Sequence, residues 1–167
     1  MDFESKIISR QIGDILYASG LTIGTAESCT GGRISEAIIA IPGSSDYYKG
    51  GIVAYTDEVK EKILGVSHEV LEEKTAVSEE VAREMVLGTI QAIGVDFAIA
   101  STGYAGPGGG TKDIPVGTIW LAYGSKNEVR AFKLTEDFGR DINLAIATNK
   151  AIRLMLDFLK EMDIKSE

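Results

Sequence analysis

Gly24-Thr25-Ala26-Glu27-Ser28-Cys29-Thr30-Gly31-Gly32-Arg33-Ile34-Ser35-Glu36-Ala37-Ile38-Ile39 is the stretch that decides the fold. An apolar run over residues 21–26 stops at Glu27. Four small or polar residues follow, and Gly32 then opens a helical pattern with Ile34, Ala37, Ile38 and Ile41 on one side. The order reads as strand, tight turn, helix. Such a turn gathers backbone N–H groups and the positive end of a helix dipole. Anions and developing oxyanions are held at such places. The same turn carries the hydroxyls of Ser28 and Thr30 and the thiol of Cys29, so a nucleophile and a cradle for negative charge coincide.

Outward from this turn, helices and strands alternate. Ile7, Ile8, Ile12, Ile15, Leu16 and Ala18 recur at helical period over 3–19, and Gly20 ends the pattern. Pro42-Gly43 stops the helix expected over about 31–41, and Gly51–Tyr55 reads as a strand. Asp57 is the expected N-cap of a short helix closed by Gly65, and Ser67 and Ser78 are expected to cap two more. The second of these runs over 79–93, with Gly94 beyond it. Residues 95–100 are a buried strand by composition, and 101–115 form a glycine-rich loop. Strands over 116–123 and 128–135 flank a turn at Gly124–Asn127. A final helix is expected over 140–162. The pattern predicts one domain over residues 1–167, a three-layer α/β/α sandwich on a mixed, mostly parallel sheet. Ligands in such folds bind at the carboxyl ends of parallel strands. The turn after 26, the segment after 55 and the loop after 100 all fall there.

The chain has 167 residues, a net charge of −8 and one cysteine. The length suits a sizeable core. The acidic balance gives a nucleic-acid partner no electrostatic support, although a local nest of N–H groups still suits a phosphate. A lone cysteine excludes an intramolecular disulfide. Residues 1–6 are polar and amphipathic, and no apolar stretch approaches the roughly 20 residues a membrane helix needs. A cytoplasmic protein with no membrane partner is expected. No His/Cys/carboxylate cluster has metal-ligand spacing, so neither a metal nor a cofactor is expected.

The blocks Ala26–Gly32, Pro42–Ser45, Gly50–Lys60, Leu64–Val66, Ala76–Ser78, Gly103–Pro107 and Pro115–Thr118 occur in an order that resembles the CinA C-terminal domain family of competence/damage-inducible proteins. Its stand-alone members are nicotinamide-nucleotide amidases. The resemblance runs from about residue 8 to 160. It implies a small nucleotide as substrate, and hydrolysis of the carboxamide of nicotinamide mononucleotide to nicotinate mononucleotide and ammonia. A homo-oligomer is expected. The alternative is a nucleotide- or phosphate-binding module without catalysis. Larger family members carry an N-terminal pyrophosphatase domain, and that activity is not expected of this chain.

The resemblance also implies roles. A serine before a helix is ordinarily an N-cap, but Ser28 matches the family's nucleophile. Serine needs a base. His68, the only histidine, opens an acidic amphipathic helix and reads as a solvated surface residue. Lys60 matches the family's base, with Tyr55 relaying or positioning the proton; a lysine accepts a proton only when burial or positive charge lowers its pKa. Cys29 competes as nucleophile on paper, but a small buried cysteine under the turn is favoured. Glu27 either caps backbone N–H groups or meets a ribose hydroxyl. Cys29, Thr30, Gly31 and Gly32 are expected at the substrate, with turn amides near 29–31 holding the oxyanion. Ser101, Thr102, Gly103, Ala105 and Gly106 form the second wall, and Arg140 clamps a phosphate. Ile114 and Leu144 stand where the family often has a lysine and a second arginine; Lys112 is the possible replacement for the first.

Overall fold

In the computed structural model, which describes residues 1–162, the deciding stretch is strand β1 (Ile23–Glu27), a turn, and helix α2 (Arg33–Ile39). Helix α1 (Phe3–Ser19) precedes β1, with Gly20 as its left-handed cap. A 3-10 turn at Ser44–Asp46 leads from α2 into β2 (Tyr48–Val53). Helices α3 (Asp57–Leu64), α4 (His68–Lys74) and α5 (Glu79–Thr89) follow, and then β3 (Phe97–Gly103), β4 (Ile119–Ser125), β5 (Val129–Leu134) and α6 (Arg140–Glu161).

The strand order is β2-β1-β3-β4-β5. β1 pairs in parallel with β2 and β3, while β4 runs antiparallel to both of its neighbours. Only β4 opposes the common direction, so the sheet is mixed and mostly parallel, as the sequence predicts. One face packs on α1, α2 and α6 through Ile12, Leu16, Ile34, Leu144 and Leu156. The other packs on α3, α4 and α5 through Leu64, Leu71, Val81 and Met85. β3 divides its side chains by size. Phe97 and Ile99 enter the first layer, and Ala98 and Ala100 enter the second. A strand buried on both faces loses the apolar-polar alternation, which is why 97–100 reads as a continuous apolar run.

Small residues bring the second layer close. A Cβ on Gly88 of α5 would lie 1.9 Å from the carbonyl oxygen of Leu64, so α3 is pressed onto α5 at its carboxyl end. This contact fixes the helix that carries Lys60.

Several expected boundaries move. β2 begins at Tyr48 rather than Gly51 and ends at Val53. Thr56, not Asp57, caps α3, its hydroxyl accepting the Val59 N–H at 3.3 Å. Ser67, Ser78 and Gly65 cap as expected. The regular α-helix expected to 93 ends at Thr89, and Ile90–Gly94 winds wider as a π turn. The strand expected from 116 starts at Ile119. The shift with most consequence is at β3, which continues through Ser101 and Thr102 to Gly103. Those two residues belong to the sheet and not to the glycine loop. No helix among the described residues is long and apolar enough to cross a membrane.

Candidate active site

The carboxyl ends of β1, β2 and β3 meet at Ser28. The Ser28 N–H donates to the Ser101 carbonyl at 3.0 Å, which prolongs the β1–β3 ladder by one residue. The turn that follows places Gly31 and Gly32 at φ of +56° and +104°. Only glycine adopts such angles cheaply.

Lys60 reaches Ser28 from below. Thr56 starts α3 directly after the β2 end, and Lys60 takes its place in the next turn with its N–H on the Thr56 carbonyl at 3.1 Å. Its side chain turns inward and is 1% exposed. Nζ lies 2.9 Å from Ser28 Oγ and 2.9 Å from the Ala54 carbonyl oxygen. No carboxylate pairs with it among the described residues. Burial pushes the Lys60 amine below its ordinary value, with Asp57 and Cys29 pulling the other way. A buried amine without a counter-ion is favoured in its neutral form, and a neutral amine accepts a proton.

Tyr55 does not stand between Ser28 and Lys60. Lys60 already touches Ser28, so no gap remains to bridge. The Tyr55 side chain is 60% exposed, lines the cleft, and makes no hydrogen bond among the described residues. Cys29 is buried under the turn, and burial pushes its thiol up to about 11. It carries a proton at neutral pH and is a poor nucleophile. His68 is exposed between Glu61 and Glu72 and does not line the cleft.

The other residues expected at the substrate divide into two groups. Glu27, Thr30, Ser101 and Thr102 are buried and face the protein. Glu27 takes the backbone N–H groups of Ile34 and Ser35 at 2.8 and 3.0 Å and so caps α2 from the strand side, which answers the choice left open between cap and ribose contact. Thr30 bonds to Glu27 and Ser101. Thr102 donates to the Ala76 carbonyl at 2.8 Å and ties β3 to the α4–α5 connection. Gly31 spends its N–H on the Ser28 carbonyl at 3.1 Å, so that donor is lost to an oxyanion. The N–H groups of Cys29 and Thr30 find no protein acceptor among the described residues.

The second group lines the cleft. Gly103, Tyr104, Ala105, Gly106, Gly108 and Arg140 face Ser28, Cys29 and Tyr55 across a volume of about 240 Å³. Gly106 sits at φ +86°, and a Cβ there would press on Val116 at 2.5 Å. Arg140 Nη1 donates to the Gly106 carbonyl at 2.8 Å, so it braces this loop. Asn143, which the sequence reading passed over, donates to the Ala105 carbonyl at 3.0 Å. Its signal was a polar side chain inside the apolar stripe of the last helix. Ala54 was also missed, because a carbonyl acceptor leaves no mark in the residue type. Leu144 is buried in the core and does not face the cleft. Lys112 is exposed and does not line it. A larger cavity of about 360 Å³ lies between the start of α1, α2 and α6, but neither Ser28 nor Lys60 borders it. Chemistry rather than volume selects the smaller one. Among the described residues no group of three or more His, Cys, Asp or Glu is placed to hold a metal.

A serine against a buried lysine that lacks a carboxylate partner, at the switch between parallel strands, defines an α/β protein with the parts for nucleophilic chemistry without histidine. A profile of the CinA C-terminal domain matches residues 5–159, and the chain belongs to that family. A CinA-like protein of Leptospira borgpetersenii is 44% identical over 154 residues, 92% of this chain and 37% of the relative. One from Amoebophilus asiaticus is 41% identical over 153 residues, with the same coverages of 92% and 37%. The chain thus spans little more than a third of the length of these curated relatives. The crystal structure of competence/damage inducible protein CihA from Agrobacterium tumefaciens superposes with a TM-score of 0.91 at 36% identity, covering 96% of this chain and 98% of that one. A CinA superfamily protein from Enterobacter cloacae gives 0.90 at 31% identity, covering 95% and 94%.

Proposed function

We propose that the protein hydrolyses the carboxamide of nicotinamide mononucleotide, giving nicotinate mononucleotide and ammonia in pyridine nucleotide salvage in the cytoplasm. The observation that carries the chemistry is the 2.9 Å contact between Ser28 Oγ and a buried Lys60 amine that lacks a carboxylate partner. The substrate is the one that the family resemblance implies.

Neutral Lys60 takes the Ser28 proton as Oγ attacks the amide carbon. The Ala54 carbonyl holds the amine in line throughout. The carbonyl oxygen becomes an oxyanion, and the unspent N–H groups of Cys29 and Thr30 are its donors. Collapse breaks the C–N bond. The proton on Lys60 passes to the leaving nitrogen, and ammonia departs. Water, deprotonated by the same amine, then attacks the acyl-serine ester and releases the acid. The cleft of about 240 Å³ suits the pyridine ring and carboxamide, with the phosphate directed outward to Arg140. Tyr55 and Tyr104 line the cleft, and in this reading they flank the ring.

Incubating the purified protein with nicotinamide mononucleotide and measuring ammonia tests the reading. Release at enzymatic rates supports it. Binding of the nucleotide without ammonia would turn the chain into a nucleotide-binding module, and neither would remove the nucleotide altogether.

A further inference from the structure

Beneath the Ser28 turn lies a polar layer that the mechanism above does not use. Glu27 is 1% exposed. Its Oε1 accepts the Thr30 hydroxyl at 2.7 Å and the Ile34 N–H at 2.8 Å. Its Oε2 accepts the Ser35 N–H at 3.0 Å and the Ser35 hydroxyl at 2.8 Å. A carboxylate offers about four acceptor sites, so this one is saturated from inside the protein.

A hydroxyl has one proton to give, and that fixes the direction of the neighbouring bonds. Thr30 gives its proton to Glu27, so Ser101 must donate across the 2.6 Å contact between their hydroxyls. Ser35 also gives its proton to Glu27. Thr25 therefore donates to Ser35 at 2.7 Å, and the Tyr48 hydroxyl donates to Thr25 at 3.0 Å. Two chains of donors converge on one carboxylate. The first, Ser101 to Thr30 to Glu27, encloses the Ser28 turn: Thr30 is two residues on, and Ser101 receives the Ser28 N–H on its own carbonyl. The second leads away along β1 and β2.

We infer that Glu27 is a positioning residue, which through Thr30 and Ser101 holds the turn where Ser28 Oγ meets Lys60 Nζ. The inference rests on the Ser28–Lys60 reading. The site requires a carboxylate, since glutamine would set an NH₂ group against donors and leave part of the layer unpaired. Its contribution is to rate rather than to substrate binding, because it faces away from the cleft.

The test is the rate at which a fluorophosphonate labels Ser28, followed by mass spectrometry beside nucleotide kinetics. In labelling, the Oγ–P bond forms as the P–F bond breaks, the hydroxyl proton passes to the Lys60 amine, and fluoride leaves. Glu27→Gln and Thr30→Val are expected to label on the order of 10- to 100-fold more slowly, as for a nucleophile moved off its line of attack. Their kcat falls by a like factor with KM near that of the parent. Thr89→Val removes an equally buried hydroxyl, bonded to the Met85 carbonyl at 2.7 Å and remote from the cleft, and should label at the parental rate. If Glu27→Gln does not fold, Thr30→Val carries the test, since it keeps the carboxylate and the cap on α2. Folded variants that label as fast as the parent overturn the inference. A parent that is labelled but releases no ammonia removes the nucleotide reading and leaves the Glu27 comparison standing. A parent that does neither removes both.

Discussion

The two walls of the cleft are built on opposite principles. The Ser28–Lys60 wall is made of side chains that are almost wholly buried and hydrogen-bonded inward. The facing wall, Gly103 to Gly108 with Arg140, is a glycine loop braced from outside by Arg140 and Asn143. The first fixes two reacting atoms to within a hydrogen bond, at the expense of burying an amine. The second leaves backbone surface exposed and carries its one cation at the rim. Reaction demands preorganisation, whereas recognition of a substrate that must enter and leave tolerates a softer frame. Changes to the first wall should therefore strike kcat, and changes to the second KM.

The sharpest way to break this contrast is at Ser28. Ser28→Ala should abolish ammonia release, while Cys29→Ala, which removes a protonated thiol, should retain most of it. A folded but inactive Cys29→Ala protein would transfer the nucleophile to the neighbouring residue. Next in size is Lys60. Lys60→Ala and Lys60→Arg should each lose about 10²–10⁴ in rate, the loss expected for a positioned base. Arginine keeps the charge but cannot give up a proton in a protein. An active Lys60→Arg enzyme would mean that the residue acts as a fixed charge.

On the softer wall, Arg140→Ala should raise KM for the mononucleotide by about tenfold and spare kcat, the low end of the value of a charged hydrogen bond. The riboside, which lacks the phosphate, should be the poorer substrate of the parent by a similar factor. Equal kcat/KM values for the two would leave Arg140 as a brace for Gly106 alone. The smallest effect should be at Tyr55. Tyr55→Phe removes the hydroxyl and keeps the ring, so both kcat and KM should stay within about threefold of the parent if the residue is only a wall. A loss of a hundredfold or more would restore the proton relay.

Much of this was legible in the residues. The strand–turn–helix at 24–39 gave the direction of the sheet, apolar periodicity placed α1, α2, α5 and α6, and cap residues placed α3 and α4. The expected Lys60–Ser28 pairing came from the family resemblance, and the geometry brings the two together. What the sequence could not display was direction. Ser101 and Thr102 looked like loop residues because a glycine follows them, yet pairing with β4 carries the strand past both. Glu27 offered two roles of equal standing, and only the course of α2 back over β1 settles that its carboxylate meets N–H groups. The role of Tyr55 as relay or positioner came from the family resemblance, and nothing in a sequence gives the length of the gap it would span. Asn143 was hidden by its neighbour Leu144, whose apolar character defined the helix face.

The most direct test of the account is the pH dependence of kcat/KM for ammonia release. Burial lowers the Lys60 pKa from 10.5, so the free enzyme gains its neutral base as pH rises through a midpoint below that value. The predicted profile climbs tenfold per pH unit on its acidic side, levels off above the Lys60 pKa, and loses that limb in Lys60→Arg. A profile that is flat across the range in which a buried lysine titrates, or one whose limb survives in Lys60→Arg, would contradict the claim that Lys60 is the base for Ser28.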